Sequence, residues 1–159
     1  MEQFRNEDAS VDLILWRHAE AEDGFRDAER RLTAKGERQA AKMAAWLEAR
    51  LPKEARILAS PTERTRQTAA ALAQYHAVLK EAGPGTSVAV LLGAAGWPDA
   101  KGAVIVVGHQ PTLGQVAAYL LADRDESWSV KKGGIWWFSN RAREGPRVVL
   151  KAVMSPELL

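Results

Sequence analysis

Three histidines occur in this sequence, at positions 18, 76 and 109, and two of them follow short apolar runs. His18 comes after Val11–Trp16 and is preceded by Arg17. His109 comes one residue after Ala103–Val107. Arg64 lies beyond a third short run, Arg56–Ala59, in what reads as the first turn of a helix. Imidazole can act as a covalent nucleophile and titrates nearest neutrality. Guanidinium presents a fixed fork of donors that matches phosphate oxygens. Two of each, gathered beside helix N-termini, would make an anion site able to carry out phosphoryl chemistry. Position alone leaves plainer readings open. A histidine after a strand is commonly a loop residue, and an arginine in a first helical turn commonly faces solvent. The helix dipole disfavours that arginine, however, and a bound anion would compensate it. His76 is read as a surface residue or as compensation of a helix C-terminus.

Positioning these groups is a task for strand ends. Val11–Trp16, Arg56–Ala59 and Ala103–Val107 are short and apolar, and the last is β-branched and bounded by glycines, as a buried parallel strand should be. Thr33 caps a helix over 34–51, where Ala40, Met43, Ala44, Leu47 and Leu51 share a face and Pro52 stops the run. Ser60-Pro61-Thr62-Glu63 reads as a capping box with proline at the first helical position. Residues 19–32 are charged and read as a loop. Gly83-Pro84-Gly85 is a turn, Val88–Leu92 reads as a strand and Gly93–Gly102 as a loop. A helix runs from Gln110-Pro111 to about Leu121, and Ile135–Ser139 and Val148–Val153 close the sheet. Trp136 and Trp137 should alternate faces, one inward and one outward. Alternating strands and helices predict an α/β fold, a three-layer α/β/α sandwich around a mainly parallel sheet. In such a sheet ligands bind beyond the carboxyl ends of the strands, where His18, Arg64 and His109 fall.

The chain has 159 residues, which predicts a single domain spanning 1–159, with the polar residues 1–10 as a flexible tail. It lacks cysteine, so disulfide frameworks, thiolate nucleophiles and cysteine zinc sites are excluded. Lysine plus arginine number 22 against 20 aspartates and glutamates, a balance that argues against a nucleic-acid binder. No apolar run is long enough for a membrane span and no signal peptide is evident, so a soluble cytoplasmic domain, monomeric by size, is expected. Gly108–Gly114 lacks the ending of a P-loop, and no Gly-x-Gly-x-x-Gly follows a strand. No histidine or carboxylate spacing argues for a metal, and no cofactor is implied.

Leu15-Trp16-Arg17-His18-Ala19 resembles the Arg-His-Gly signature of the histidine phosphatase, or phosphoglycerate mutase-like, superfamily. Ser60-Pro61-Thr62-Glu63-Arg64-Thr65-Arg66-Gln67-Thr68-Ala69 resembles its second motif, and Val107-Gly108-His109-Gln110-Pro111 its third. The three occur in the family's order and cover most of the chain. The short length, Arg30-Arg31-Leu32-Thr33, Gly36 and the terminal Met154-Ser155-Pro156 are similar to SixA-type phosphohistidine phosphatases. The resemblance implies a phosphoglycerate mutase-like fold. It implies His18 as the nucleophile that takes the phosphoryl group and Arg17 and Arg64 as holders of phosphate oxygens. His109 would donate to the same oxygens, and Arg30 would add a contact from the loop. Arg66 falls at a variable position of the motif and is left out. Ala19 replaces the family glycine, so either the backbone there has negative φ or the loop is shifted.

Larger relatives carry a carboxylic acid on an inserted segment. Here the near candidates are Glu20, Asp23 and Asp27, with Glu20 the possible proton donor and a solvated charged loop the plainer reading. An alkoxide needs an acid to leave, whereas imidazole departs readily once protonated. The expected function is therefore hydrolysis of phosphohistidine on a protein, such as a histidine phosphotransfer domain, releasing inorganic phosphate. The site should be open, not covered by residues 84–102. The alternatives are a small-molecule or phosphoserine phosphomonoesterase of the same superfamily, and a non-catalytic phosphate-binding adaptor. Mutase activity is least favoured in so short a chain.

Overall fold

Val11–Arg17 forms β1 at the middle of the sheet, because its residues are apolar on both faces and both faces are covered. Leu13 and Leu15 point to one side, Ile14 and Trp16 to the other, and all four are fully buried. The computed structural model describes residues 11–140 and 147–159; the tail expected at 1–10 lies outside the described residues. The other strands are β2 (Ala55–Ala59), β3 (Ala77–Val78), β4 (Gly102–Gly108), β5 (Ile135–Asn140) and β6 (Val148–Met154). Their order is β3-β2-β4-β1-β5-β6. The first four in that order run parallel, while β5 lies antiparallel to β1 and β6 antiparallel to β5.

Four helices complete the layers: α1 (Ala34–Glu48), α2 (Glu63–Leu72), α3 (Val88–Ala95) and α4 (Thr112–Ala122). On one face α1 and α2 bring Met43, Ala44, Leu47 and Ala69 against Ile14, Trp16, Ile105 and Val107. On the other, α3 and α4 bring Leu91, Leu92, Leu113 and Val116 against Leu13, Leu15, Val104 and Val106. Each such aliphatic side chain contributes about 1.5–3 kcal/mol by leaving water. This is the predicted α/β sandwich with a mainly parallel sheet. Among the described residues no helix is long and apolar enough to cross a membrane.

Several local expectations change. Val88–Leu92 is the start of α3, not a strand. A short apolar run carries no distinguishing period, and the Ser87 hydroxyl caps a helix by accepting from the Val90 N–H at 3.2 Å. The stretch expected as loop therefore begins only after Ala95. Trp136 and Trp137 do alternate, but both sides of β5 are covered: Trp137 packs with the α1 side and the half-buried Trp136 with the α3 and α4 side. The capping box is not formed, since α2 starts after Thr62 with no side-chain cap bond. Thr33 does cap α1, accepting from the Gly36 N–H at 2.9 Å. Gly36 is required there because a Cβ would collide with the Glu20 carbonyl, the backbone two residues beyond His18.

Candidate active site

Three strand ends set the geometry. The parallel register pairs Arg17 with Gly108, which places His18 beside His109. The His18 N–H donates to the Gly108 carbonyl at 3.1 Å, and the Ser60 N–H donates to the Val107 carbonyl at 3.2 Å. Across the other side of β1, the Arg17 N–H bonds the Gly134 carbonyl and the Gly133 N–H bonds the His18 carbonyl, each at 3.0 Å. The two imidazole rings lie with centroids 5.3 Å apart, and Arg64 Nη2 is 3.4 Å from His109 Nδ1. His18, Arg64 and His109 are buried at 8%, 5% and 4% exposure. His18, Arg64 and His109 thus meet at one place, with Arg17 beside His18.

Hydrogen bonding fixes which ring nitrogens are free. His18 Nδ1 lies 2.8 Å from the Ala19 carbonyl. A carbonyl only accepts, so Nδ1 carries the proton and Nε2 carries the lone pair. His109 is the reverse. Arginine only donates, so Nδ1 faces Arg64 with its lone pair, and Nε2–H donates to the Ser60 hydroxyl at 2.8 Å. This bond turns the Ser60 hydroxyl toward the site, while α2 starts only after Thr62. Thr65 completes the cradle, its hydroxyl bonding Thr62 Oγ1 at 2.7 Å and the Ser60 carbonyl at 2.8 Å.

The guanidiniums are incompletely satisfied. Arg17 Nη1 donates to the Val130 carbonyl at 2.8 Å, and Arg64 Nη1 to the Asp27 carbonyl at 2.7 Å. Yet the Nε–H groups of both Arg17 and Arg64 are buried without a partner among the described residues. An unpaired buried donor on a charged group costs more than the about 1–3 kcal/mol of a neutral one, and an oxyanion would recover that loss.

The loop after His18 is less open than expected. Asp27 Oδ2 accepts from Arg64 Nη2 at 3.1 Å and Asp27 Oδ1 from Arg30 Nη1 at 3.1 Å, while Arg30 Nε donates to the Glu22 carbonyl at 2.7 Å. The site is therefore partly covered by residues 22–30. The cover is thin, because the Asp27 side chain itself remains 58% exposed. Hydrogen bonding to Arg64 holds the Asp27 carboxyl below the usual carboxylate range, so it is charged and has no proton to donate at neutral pH. Glu20 Oε2 accepts from the Thr33 hydroxyl at 2.8 Å, and the Glu20 N–H bonds Gln39, which ties this residue to the start of α1. Among the described residues no three metal-ligating side chains gather.

A model of the histidine phosphatase superfamily (branch 1) matches residues 13–84. A solved structure of a candidate phosphohistidine phosphatase SixA from Nakamurella multipartitia superposes with a TM-score of 0.75. It is 30% identical, covering 92% of this chain and 96% of that one. The chain belongs to the histidine phosphatase superfamily. An uncharacterized protein of Picosynechococcus is 35% identical over 79% of this chain and 82% of its own length. One of Mycobacterium tuberculosis is 36% identical over 65% of this chain and 68% of its own. A protein histidine phosphatase SixA solved with tungstate shares the fold, with a TM-score of 0.73 at 24% identity over 92% of this chain and 98% of that one.

In this member of the superfamily the Ala19 substitution has a simple outcome. Among the described non-glycine residues only Asp123 has positive φ, so Ala19 sits in ordinary backbone. Its N–H bonds Thr68 Oγ1 at 3.1 Å, and its methyl group packs with Leu32 and Ala40. The second motif holds more than Arg64. Thr68 also donates to the Arg64 carbonyl at 2.8 Å, and Gln67 Oε1 accepts from the Leu32 N–H at 2.7 Å. Neither role was assigned from sequence, although both residues stand in the motif. His76, by contrast, donates to the Ala73 carbonyl at 3.1 Å, at the end of α2 and apart from the site.

Burial, reinforced by the charges of Arg64, Arg17 and Arg30, pushes His18 down to about 4 against the opposing hydrogen bond to Ala19. Burial and then the charge of Arg64 push His109 down to about 3. Both rings are neutral at neutral pH. NMR titration should show His18 protonating near pH 4, with no transition at the ordinary imidazole value of about 6.5. The unfolded chain would protonate at that ordinary value. Stability from this pair is therefore complete above about pH 6.5 and is lost as pH falls through about 4 for His18 and about 3 for His109. A His18 midpoint near 6.5 would contradict the buried, neutral ring.

Asp27 occupies the arginine that an external anion would use. Asp27→Asn should therefore tighten inorganic phosphate as a competitive inhibitor by about threefold to fivefold, a modest gain because the pair is partly exposed. An unchanged or weaker inhibition constant would show that the carboxylate does not compete.

Proposed function

We propose that this chain hydrolyses phosphohistidine on a protein, through a phosphoryl-enzyme intermediate at His18. The observation that carries the reading is the pairing of a neutral His18, its Nε2 lone pair free, with two buried guanidinium Nε–H donors that lack partners among the described residues. His18 Nε2 attacks phosphorus in line, the bond from phosphorus to the substrate imidazole breaks, and that imidazole, already protonated from solvent at its other ring nitrogen, takes the electron pair of the broken bond and leaves neutral. Water then attacks the phosphoryl group on Nε2, regenerating His18 and releasing inorganic phosphate. Arg17 and Arg64 hold the non-bridging oxygens where charge develops, which is the main contribution a protein makes to phosphoryl transfer. A bound phosphate dianion opposes the positive field that lowers His109 and draws a proton onto Nδ1, from which His109 donates to the same oxygens.

Three further points support a phosphohistidine substrate. Asp27 is held charged by Arg64, and Glu20 is engaged by Thr33, so neither of these two carboxyl groups is poised to protonate an alkoxide leaving group. Imidazole needs far less assistance to leave than an alkoxide does. The Nakamurella relative is a candidate phosphohistidine phosphatase. The intact nucleophile argues against a mere adaptor.

The test is phosphate release from a phosphohistidine-bearing phosphotransfer protein, run beside a phosphoserine peptide and sugar phosphates, with His18→Ala as the blank. Selective release from phosphohistidine supports the reading. Release from esters alone would make the chain a phosphomonoesterase, and no release from any substrate would leave only phosphate binding.

A further inference from the structure

We infer that the basic groove beside the site is the docking surface for an acidic face of the phosphohistidine-bearing protein. The groove has a volume of about 460 Å³ and lies between α1, the 130–134 turn and the segment following β6. Lys35, Arg38 and Lys42 reach it from one face of α1, and Lys131 and Lys132 from the turn. Glu157 is the single carboxylate side chain in its lining, and it pairs with Lys131. Lys42 donates to the Leu159 carbonyl at 3.3 Å. Among the described residues Lys35, Arg38 and Lys132 make no ion pair. Outside the groove the chain carries a slight negative excess, so the concentration of cations is local and does not follow from overall basicity.

Folding gains nothing from this arrangement. Lys35 and Arg38 stand in the first turns of α1, where the helix dipole disfavours cations. Arg38 and Lys42 are like charges at i and i+4, a spacing that destabilises a helix. A complementary surface would remove these penalties. The cations are exposed and spread along α1, where Lys35 to Lys42 span roughly 10 Å. No buried pocket for one small anion is built, whereas several carboxylates spaced across a protein face would match.

Position links the groove to the chemistry. The turn that carries Lys131 and Lys132 is the one whose Val130 carbonyl holds Arg17 and whose Gly133 N–H holds the His18 carbonyl. Gln39, on the same face of α1, holds the Glu20 N–H at 2.9 Å. Because α1 begins at the carboxyl edge of the sheet, Lys35 lies at the end of the groove nearest the phosphate site. A partner seated there would present its phosphohistidine toward His18.

The inference rests on the phosphatase reading above, and the test separates the two. The triple variant Lys35→Glu, Arg38→Glu, Lys132→Glu changes only exposed side chains. Its kcat/KM should fall about tenfold or more on an acidic phosphohistidine-bearing protein, chiefly through KM, while turnover of phosphoimidazole stays within about twofold. Raising salt should slow the native chain on the protein substrate and leave the variant little changed. Equal loss on both substrates, or undiminished turnover of the protein substrate even where binding of RNA is lost, would overturn the docking surface. If the native chain releases phosphate from neither substrate, the catalytic reading fails and the docking role falls with it.

Discussion

Replacing His18 with alanine is expected to lower phosphate release by on the order of ten-thousand-fold, because the covalent route disappears and no second nucleophile stands in line. His109 cannot substitute, since its one free nitrogen faces Arg64 and its other donates to Ser60. Phosphate binding should survive with a change below about tenfold, because both orphaned guanidinium donors remain. Rapid quench with labelled substrate gives the direct measurement. The native chain should accumulate an acid-labile, base-stable phosphoryl group that the variant lacks. Retained turnover in His18→Ala would move the nucleophile elsewhere and undo the site assignment.

Arg64→Ala should cost roughly a thousandfold in kcat/KM, the lower end of what a transition-state arginine supplies in phosphoryl transfer. Arg64 is the hub of the site: it touches His109, is bonded twice by Asp27 and is anchored through its carbonyl by Thr68. Its removal has a second, independent signature. The Arg64 charge is one of the causes that hold His109 low, so the variant should protonate His109 at higher pH than the native chain, as read by NMR. Arg64→Lys keeps the charge but loses the fork. It should hold His109 low while recovering only part of the rate. A rate loss with no movement of His109 would mean that the Arg64 charge does not set the protonation of that ring.

The layout of the fold was legible because strand and helix left separate marks. The runs ending at Trp16 and Val107 are mostly apolar on both faces, the pattern of strands covered on both sides, and the run ending at Ala59 is apolar at its buried end. The three chemical clusters at their ends then had only one place to meet. What could not be read is what depends on distant partners. The pattern around Ser60 is that of a helix cap, but a histidine 49 residues away takes the hydroxyl. Asp27 reads as one more charge on a solvated loop until Arg64 is brought beneath it. The free nitrogen of His18 follows from a single carbonyl, a matter of backbone geometry that no residue type announces. Val88–Leu92 failed for another reason: five small and apolar residues fit either secondary structure, and the deciding signal was Ser87, just outside the run.

The hydroxyls behind His109 have a consequence for proton traffic. Its Nε2–H points into Ser60, Thr62 and Thr65, all buried, and the Thr65 hydroxyl ends on the Ser60 peptide carbonyl. A carbonyl can accept a hydrogen bond but relays no proton onward. This side of the ring is a closed end. The ring can exchange protons only at Nδ1, on the side where the phosphoryl group would bind. A proton that His109 gains during one turnover must therefore leave through the same port, to the phosphate, the departing group or the incoming water. The site thus behaves as a single-entry compartment for protons.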